Sequence, residues 1–266
     1  MNSLSIVIIT FNEEKNIVDC IRSAKLISDD IIVVDAGSTD ETVKLARTSG
    51  ANVFSIDWKS YGFSRNYGAT KAKNNWILAL DADERISKEL ALSTRTLKLS
   101  DTNFIYKFQR RNYLNHKKIR FGTPGFETVK RIYNRNYAQW DLTLVHEKLE
   151  SLQASKKLLA GCIRHYGLKN EKDYKAKAVL YAQMSAEKLF AQGKKATFLK
   201  RCFSPVFNSI KSYLFQFGFL DGRTGWISAK TIAYYSWLKY SYLNQLWQES
   251  KIKAMPLSSR HRVKRA

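Results

Sequence analysis

Short apolar runs that end in polar residues alternate with helical patterns along the first third of the chain. The runs that begin at Leu4 and at Ile31, and the run at 76–80, have the apolar, partly β-branched character of buried strands. Between them, apolar residues from 17 to 27 recur at three- and four-residue spacing, which predicts a helix. Strands that alternate with helices predict an α/β fold, with a mostly parallel sheet covered by helices on both faces.

The second predicted helix has residues typical of helix ends at its start and at its end. Ser38 and Glu41 have capping-box spacing, in which each side chain accepts a hydrogen bond from the other residue's backbone N–H. Gly50 can take the left-handed conformation that ends many helices. These residues predict that Ser38 caps the start of the helix and Gly50 closes it.

Polar side chains follow the predicted strands at the points where the strands end. Asp81 and Asp83 come directly after the run at 76–80, while Asn12, Glu13 and Asp35 follow the first two strands. The carboxyl ends of parallel strands meet at one edge of a sheet, where ligands of open α/β sheets bind. An Asp-x-Asp pair also occurs in ordinary loops and at helix starts. At a sheet edge, however, two carboxylates suit Mg2+ or Mn2+, which can hold a diphosphate.

Four motifs resemble, in order and spacing, the nucleotide-sugar half of family 2 glycosyltransferases, which have the GT-A fold. They are Thr-Phe-Asn-Glu at 10–13, Val-Asp-Ala-Gly-Ser-Thr-Asp at 34–40, Arg-Asn-Tyr-Gly-Ala at 65–69 and Leu-Asp-Ala-Asp-Glu at 80–84. The resemblance covers roughly residues 4 to 150. Residues 130–133 and 145–147 are similar to the lipopolysaccharide-core β-1,4-glucosyltransferase branch. Ala36 stands where many relatives carry a second aspartate, which leaves Asp35 as the single acidic contact there.

The resemblance implies an enzyme and assigns roles to its motif residues. The reaction would be an inverting, metal-dependent transfer of a sugar, glucose from a UDP-linked donor, to a cell-envelope glycan such as the lipopolysaccharide inner core. The nucleotide sugar would be contacted by Thr10, Asn12, Glu13, Asp35, Arg65 and Asp81, and Mg2+ or Mn2+ would be held by Asp81, Asp83 and His146. Arg65 can neutralise phosphate or brace the carboxylates, and Arg131 is expected to meet a phosphate on either substrate.

Inverting transfer also needs a base that takes the proton of the acceptor hydroxyl. Glu147 is the predicted base, and it belongs to the motif at 145–147. His146 beside it is a candidate metal ligand or a group that orients the diphosphate. Glu127, which follows a loop with Pro and Gly, is the rival base.

The net charge of +22 lies entirely in the second part of the chain. Residues 1–100 carry 13 basic and 13 acidic residues, whereas residues 101–266 carry 32 and 10. Such a basic region suits an anionic membrane surface, a phosphorylated acceptor or nucleic acid, or it is only a solvated face.

Three alternative functions remain open. One is transfer to a polyprenyl-phosphate lipid carrier. The second, from a different class, is a basic nucleic-acid-binding protein, which would show strongly salt-dependent binding. The third is a non-catalytic nucleotide-binding protein, which would turn over no sugar. That second alternative leaves the clustered carboxylates unexplained, since carboxylates without a metal ion repel phosphates. We therefore expect a glycan or glycolipid acceptor and no nucleic-acid partner.

Composition changes along the chain divide it into four predicted parts. These are the nucleotide-sugar half at 1–100, the acceptor half at 101–168, a helical extension at 169–255 and a basic tail at 256–266. In the extension, Ser204 and Pro205 are predicted to begin a helix, because Pro is tolerated in a first turn. Tyr and Trp residues between 226 and 247 stand among lysines, which suits either a membrane interface or packing as core against the sheet domain.

The expected location follows from cysteines and apolar runs. Three cysteines lie far apart without ligand spacing, so neither a disulfide framework nor a zinc site is expected and a reducing compartment fits. No basic region followed by an apolar core opens the chain, so no secretory signal is expected. No uninterrupted apolar run reaches the roughly 18 residues that span a bilayer. We expect a cytoplasmic protein attached peripherally to the inner face of the cytoplasmic membrane.

Overall fold

The computed structural model describes residues 4–99, 104–125, 127–143, 147–151 and 154–254, in two compact units, Met1–Lys169 and Asn170–Ala266. The strands of the first unit are β1 Leu4–Thr10, β2 Ile31–Asp35, β3 Asn52–Ser55, β4 Trp76–Asp81, β5 Glu84–Ile86, β6 Phe104–Leu114, β7 Lys117–Lys118, β8 Glu127–Asn134, β9 Ala138–Trp140, β10 Leu149–Ser151 and β11 Ser155–Leu168. Its helices are α1 Ile17–Ala24, α2 Thr42–Thr48, α3 Tyr61–Lys71 and α4 Lys88–Arg95. The second unit contains α5 Glu171–Ala191, α6 Phe198–Ile210, a π-helical turn Lys211–Phe215, a 3-10 turn Gly218–Asp221 and α7 Arg223–Ala254.

Within the described ranges, nine strands form one mixed sheet in the order β3-β2-β1-β4-β8-β6-β11-β5, with β7 beside β6. The strands β1 to β4 are parallel, and the register places Thr10 opposite Asp35 and Ile9 opposite Asp81. Strands β5 and β8 run antiparallel to their neighbours, and β9 pairs separately with β10. The predicted α/β fold with a helical C-terminal extension is confirmed, and the parallel strands end at the edge where the motif residues stand.

Alternate residues of β1 pack into two different cores, which explains why the whole strand is apolar. Ile6 and Ile8 face α1, where they join Ile17 and Ile21 in one buried cluster. Val7 faces the other side of the sheet and belongs to the second cluster. All seven residues of β1 are buried, so β1 is a central strand covered on both faces.

Helix α2 differs from the prediction at its start and agrees with it at its end. The helix begins at Thr42. Glu41 occupies the N-cap position without a capping hydrogen bond from its side chain, so the predicted capping box with Ser38 is wrong. Ser38 instead bonds Asp35 and accepts a hydrogen bond from the Asn12 backbone N–H at 2.8 Å. A tertiary contact has taken the side chain that local spacing assigned to a cap. Gly50 closes the helix as predicted, with φ +81°.

The predicted start of a helix at Ser204 and Pro205 is also wrong. Helix α6 begins at Phe198, and Thr197 caps it by accepting a hydrogen bond from the Lys200 backbone N–H at 3.3 Å. Pro205 lies inside the helix and is buried.

Among the helices described, none combines the length and the apolar character that crossing a bilayer requires.

Replacement of Gly68 by alanine tests how closely α3 packs on the sheet. A Cβ atom at Gly68 would lie 2.4 Å from a methyl group of Val7 and 2.8 Å from one of Val34. We expect Gly68→Ala to lower the free energy of unfolding by about 1–3 kcal/mol, because overpacking outweighs the better helix propensity of alanine. Urea denaturation measures this value. Thr70→Ala, on the exposed side of the same helix, is the control and should change stability by less than about 0.5 kcal/mol.

Candidate active site

Asp81, the last residue of β4, is held between two buried arginines. Arg65 Nη2 donates to Asp81 Oδ1 at 2.6 Å, and Arg131 Nη2 donates to Asp81 Oδ2 at 2.9 Å. Burial favours the neutral carboxyl, but the Arg131 and Arg65 guanidinium groups outweigh it and hold the pKa of Asp81 well below its ordinary value. Asp81 is therefore a charged carboxylate at working pH, with both oxygens already engaged by cations.

Glu84 forms a second buried carboxylate beside Asp81, and sequence reasoning gave it no role of its own. Its Oε2 accepts from the Asp81 backbone N–H at 3.0 Å, and its Oε1 faces Arg131 at 3.1 Å and Arg110 at 3.4 Å. The side chain is fully buried. Glu84 thus ties the β4–β5 turn to β6 and β8. A charged residue beside two aspartates gives no local signal that it will be buried.

Asp83 lies next to a histidine that the sequence analysis did not consider. His165 Nε2 on β11 is 3.4 Å from Asp83 Oδ2, and its Nδ1 is 2.6 Å from Asn112 Oδ1. The Asn112 amide nitrogen donates to the Pro124 carbonyl and to Glu127, so the amide oxygen faces the ring. An amide oxygen only accepts, so Nδ1 carries the proton and, in the neutral ring, Nε2 presents a lone pair towards Asp83.

Two lone-pair donors that face each other at this distance suit a shared cation. Neighbouring ligands of an octahedral Mg2+ stand about 3 Å apart, and a metal-binding histidine commonly donates its second ring N–H to a polar partner. Asp83 and His165 meet both conditions. Within the described residues no group of three or more His, Cys, Asp or Glu side chains is arranged to hold a metal. The predicted ligand His146, like Leu144 and Val145, lies outside the described residues.

Arg65 also connects Asp81 to the predicted base. Its Nη1 donates to Glu147 Oε1, and its guanidinium carbon lies 4.6 Å from the centre of the Trp140 ring. Arg65 is only 2% exposed. Asp81 and Glu147 are thus brought to the same guanidinium from positions far apart in the chain. Arg65 therefore braces these carboxylates, which is one of the two roles predicted for it.

Glu127 and Glu147 occupy different environments. Arg110 holds both oxygens of Glu127, at 2.6 and 2.9 Å, and Asn112 donates to it at 3.0 Å. Burial raises the pKa of Glu127, but Arg110 and Asn112 outweigh it, so its pKa lies below the ordinary value. A general base works best when its pKa is near the working pH. Glu147 differs from Glu127 in that only its Oε1 is engaged within the described part of the chain.

The loops after β1 and β2 are joined by side chains predicted to contact the nucleotide. Asp35 accepts from the backbone N–H groups of Gly37 and Ser38 at 3.1 and 3.0 Å. Asn12, in the left-handed region at φ +52°, accepts from the Thr39 N–H at 2.9 Å. The Asp35 bonds order the loop after β2, and the Asn12 bond joins that loop to the loop after β1 at the carboxyl edge of the sheet.

Two further predicted contacts lie in the same place. Glu13 accepts a hydrogen bond from the Asn16 side chain at 2.6 Å, and its backbone N–H donates to Thr42 at 2.8 Å. The Thr10 hydroxyl is buried and has no hydrogen-bond partner among the described residues. Thr10 stands at the end of β1 opposite Asp35, and the preceding residue, Ile9, is opposite Asp81. The structure thus brings the described candidate residues to one edge of the sheet.

Comparison with known proteins gives the family. Residues 5–159 match the model of glycosyl transferase family 2, which is more than half of the 266 residues. The chain belongs to this family and is a glycosyltransferase. An uncharacterized glycosyltransferase of Rickettsia typhi is 29% identical over 263 residues, with 94% of this chain and 90% of that protein covered. The lipopolysaccharide core biosynthesis glycosyltransferase LpsC of Rhizobium meliloti is 28% identical over 266 residues, with 95% of each chain covered.

A solved structure supports the fold. The mannosyltransferase PcManGT from Pyrobaculum calidifontis, in complex with GDP-Man and Mn2+, has a TM-score of 0.54 to this chain. The sequence identity is 13%, and the match covers 92% of this chain and 87% of the other. At that identity the likeness concerns the GT-A-like arrangement of sheet and helices.

Proposed function

We propose that this glycosyltransferase is inverting and metal-dependent, and that it moves glucose from a UDP-linked donor to a cell-envelope glycan such as the lipopolysaccharide inner core. The placement of Asp83 opposite His165 Nε2, beside the ion-paired Asp81, carries the proposal. The similarity to LpsC over almost the whole chain supports the acceptor class. The protein would work at the inner face of the cytoplasmic membrane.

The donor would lie across the carboxyl edge of the sheet. Asn12, Glu13 and Asp35, with Thr10 at the end of β1, would hold the nucleoside, since their loops are already joined there. Asp83 and His165, with Asp81 and His146 as further ligands, would hold Mg2+ or Mn2+. Once bound, the cation would neutralise the charge that develops on the leaving diphosphate. The bound Mn2+ of PcManGT is consistent with this choice of metal.

Glu147 would act on the acceptor. Its carboxylate is oriented by the buried Arg65, which leaves Oε2 to accept the proton of the attacking hydroxyl. Arg131, held by Asp81 and Glu84, would lend positive charge to the site while a phosphate is bound. The group that would remove the proton and the groups that would neutralise charge are thus linked through one carboxylate, that of Asp81.

Titration calorimetry of UDP with and without Mn2+ tests the metal proposal. We expect Mn2+ to tighten UDP binding by at least about tenfold in the wild type, which is about 1.4 kcal/mol. Asp83→Asn should lose this gain and most of the turnover, because an amide is a weaker ligand than a carboxylate. His165→Ala should reduce the gain as well.

The control for this experiment is Asp29→Asn, since Asp29 is exposed and precedes β2 at the opposite end of the strand. It should keep the full effect of Mn2+. Equal UDP affinity in both buffers, together with an active Asp83→Asn enzyme, would refute the metal role. A screen of nucleotide sugars for Mn2+-dependent hydrolysis then identifies the donor.

A further inference from the structure

The second unit exposes a large apolar surface between residues 198 and 220. Eleven large apolar side chains in this segment are 41–72% exposed, and six of them are phenylalanines. Exposed apolar surface of this density is unusual on a soluble protein and marks a site that contacts a membrane or another protein. We call residues 198–220 the apolar segment.

Helix α6 carries this surface as one stripe. Leu199, Phe203, Val206 and Ile210 are spaced by four, three and four residues, so they lie on one side of the helix. The opposite side faces α7, where the Asn208 amide donates to Ser236 Oγ at 3.1 Å. Lys200 and Lys211 are exposed, and by helical geometry both lie along one edge of the apolar stripe. The helix is thus amphipathic, with its polar side packed and its apolar side open.

The turns after α6 hold the rest of the segment in a fixed position. Phe217 adopts the left-handed conformation at φ +57°. A Cβ atom at Gly225 would lie 1.7 Å from the Gly218 carbonyl oxygen, so the turn packs directly on the start of α7. Phe215 and Leu220 therefore project from a folded turn, at 72% and 58% exposure. The apolar surface is preformed.

The charge of the apolar segment indicates which partner binds it. The apolar segment contains three basic residues, Lys200, Arg201 and Lys211, and no Asp or Glu. A second copy of the protein would bring these cations against the same cations, which like-charge repulsion opposes. An anionic leaflet offers negative headgroups to the lysines and an apolar interior to the phenylalanines.

The aromatic residues of α7 are less suited to this contact than the sequence suggested. Tyr235 shares a hydrogen bond with Ser185 of α5 at 3.0 Å. The Trp247 indole donates to the Lys194 carbonyl at 2.8 Å and packs edge-on against Phe190. Part of the predicted interfacial cluster therefore packs within the helical unit.

We propose that the apolar segment inserts its phenylalanine and leucine side chains into the interfacial layer of an anionic bilayer, with Lys200 and Lys211 on the headgroups. The attachment surface is then α6 and the turns after it. This proposal does not depend on the sugar that is transferred, and vesicle binding tests it without any donor.

Cosedimentation of the full chain with vesicles is the experiment. We expect the wild type to bind vesicles that contain phosphatidylglycerol, and to remain partly bound in high salt because apolar insertion is not screened. Phe203→Ser/Phe207→Ser should lower the partition coefficient at least about tenfold. The control Leu92→Ser/Leu158→Ser removes side chains of matching exposure, 67% and 61% against 66% and 62%, and should bind like the wild type.

Other outcomes would overturn the proposal. Equal binding of the wild type and both double variants would mean that the segment does not insert. A wild-type dimer in light scattering that Phe203→Ser/Phe207→Ser breaks, without vesicle binding, would make the surface an interface between copies. Lys200→Gln/Lys211→Gln gives a second test on intact apolar residues, and it should reduce the preference for anionic over neutral vesicles. An unchanged preference would contradict the role of the lysines.

Discussion

The Glu147→Gln variant is expected to lose at least roughly a hundredfold in the rate of sugar transfer, while its affinity for the nucleotide sugar stays nearly intact. Glutamine keeps the size and polarity of the side chain, and its amide oxygen can still accept from Arg65, but it cannot take a proton from the acceptor. Steady-state kinetics give the rate, and titration calorimetry with UDP gives the donor affinity. The combination separates a base from a residue that only binds the donor.

Two further variants make this prediction specific. Glu127→Gln removes the rival carboxylate, which Arg110 holds by both oxygens, and it should slow transfer less than Glu147→Gln. Glu150→Gln changes an exposed glutamate of β10 and should be without effect. If Glu127→Gln shows the large loss and Glu147→Gln does not, Glu127 is the base and our assignment is wrong.

Arg65→Met is expected to lower the free energy of unfolding by about 3–5 kcal/mol, the usual effect of removing one partner from a buried ion pair. Arg65 bonds Asp81 and Glu147 with a side chain that is 3% exposed, and both carboxylates would lose this partner. A loss of that size is a large part of the 5–15 kcal/mol that stabilises a typical domain. Urea denaturation followed by circular dichroism measures it.

The exposed pair of Arg22 with Asp19 provides the matched control. Arg22→Met removes the same type of side chain at 75% exposure and should change stability by less than about 1 kcal/mol. The double variant Arg65→Met/Glu147→Gln should recover part of the loss, because Glu147 loses its cation in Arg65→Met whereas Asp81 keeps Arg131. A loss for Arg65→Met no larger than that for Arg22→Met would contradict the buried ion-pair network.

The local elements could be predicted from the sequence because their signals are local. The apolar runs predicted β1, β2 and β4, and the three- and four-residue spacing predicted α1. The motif order predicted the family and the sheet edge to which Asp35 and Asp81 belong. Even there, local rules failed where a tertiary partner competed, as for Ser38, which bonds Asp35 and Asn12 instead of capping α2.

Only the tertiary structure decided the arrangement of the site. Glu84, Arg110 and His165 lie on β5, β6 and β11, whose pairing depends on the whole sheet. No spacing along the chain indicates that Arg110 pairs with Glu84 or that His165 lies beside Asp83. The attachment surface was decided in the same way. Sequence composition pointed to the aromatic residues of α7, but packing within the helical unit uses several of them and leaves the side of α6 exposed. A sequence determines which residues are apolar, whereas the fold determines which of them find a partner.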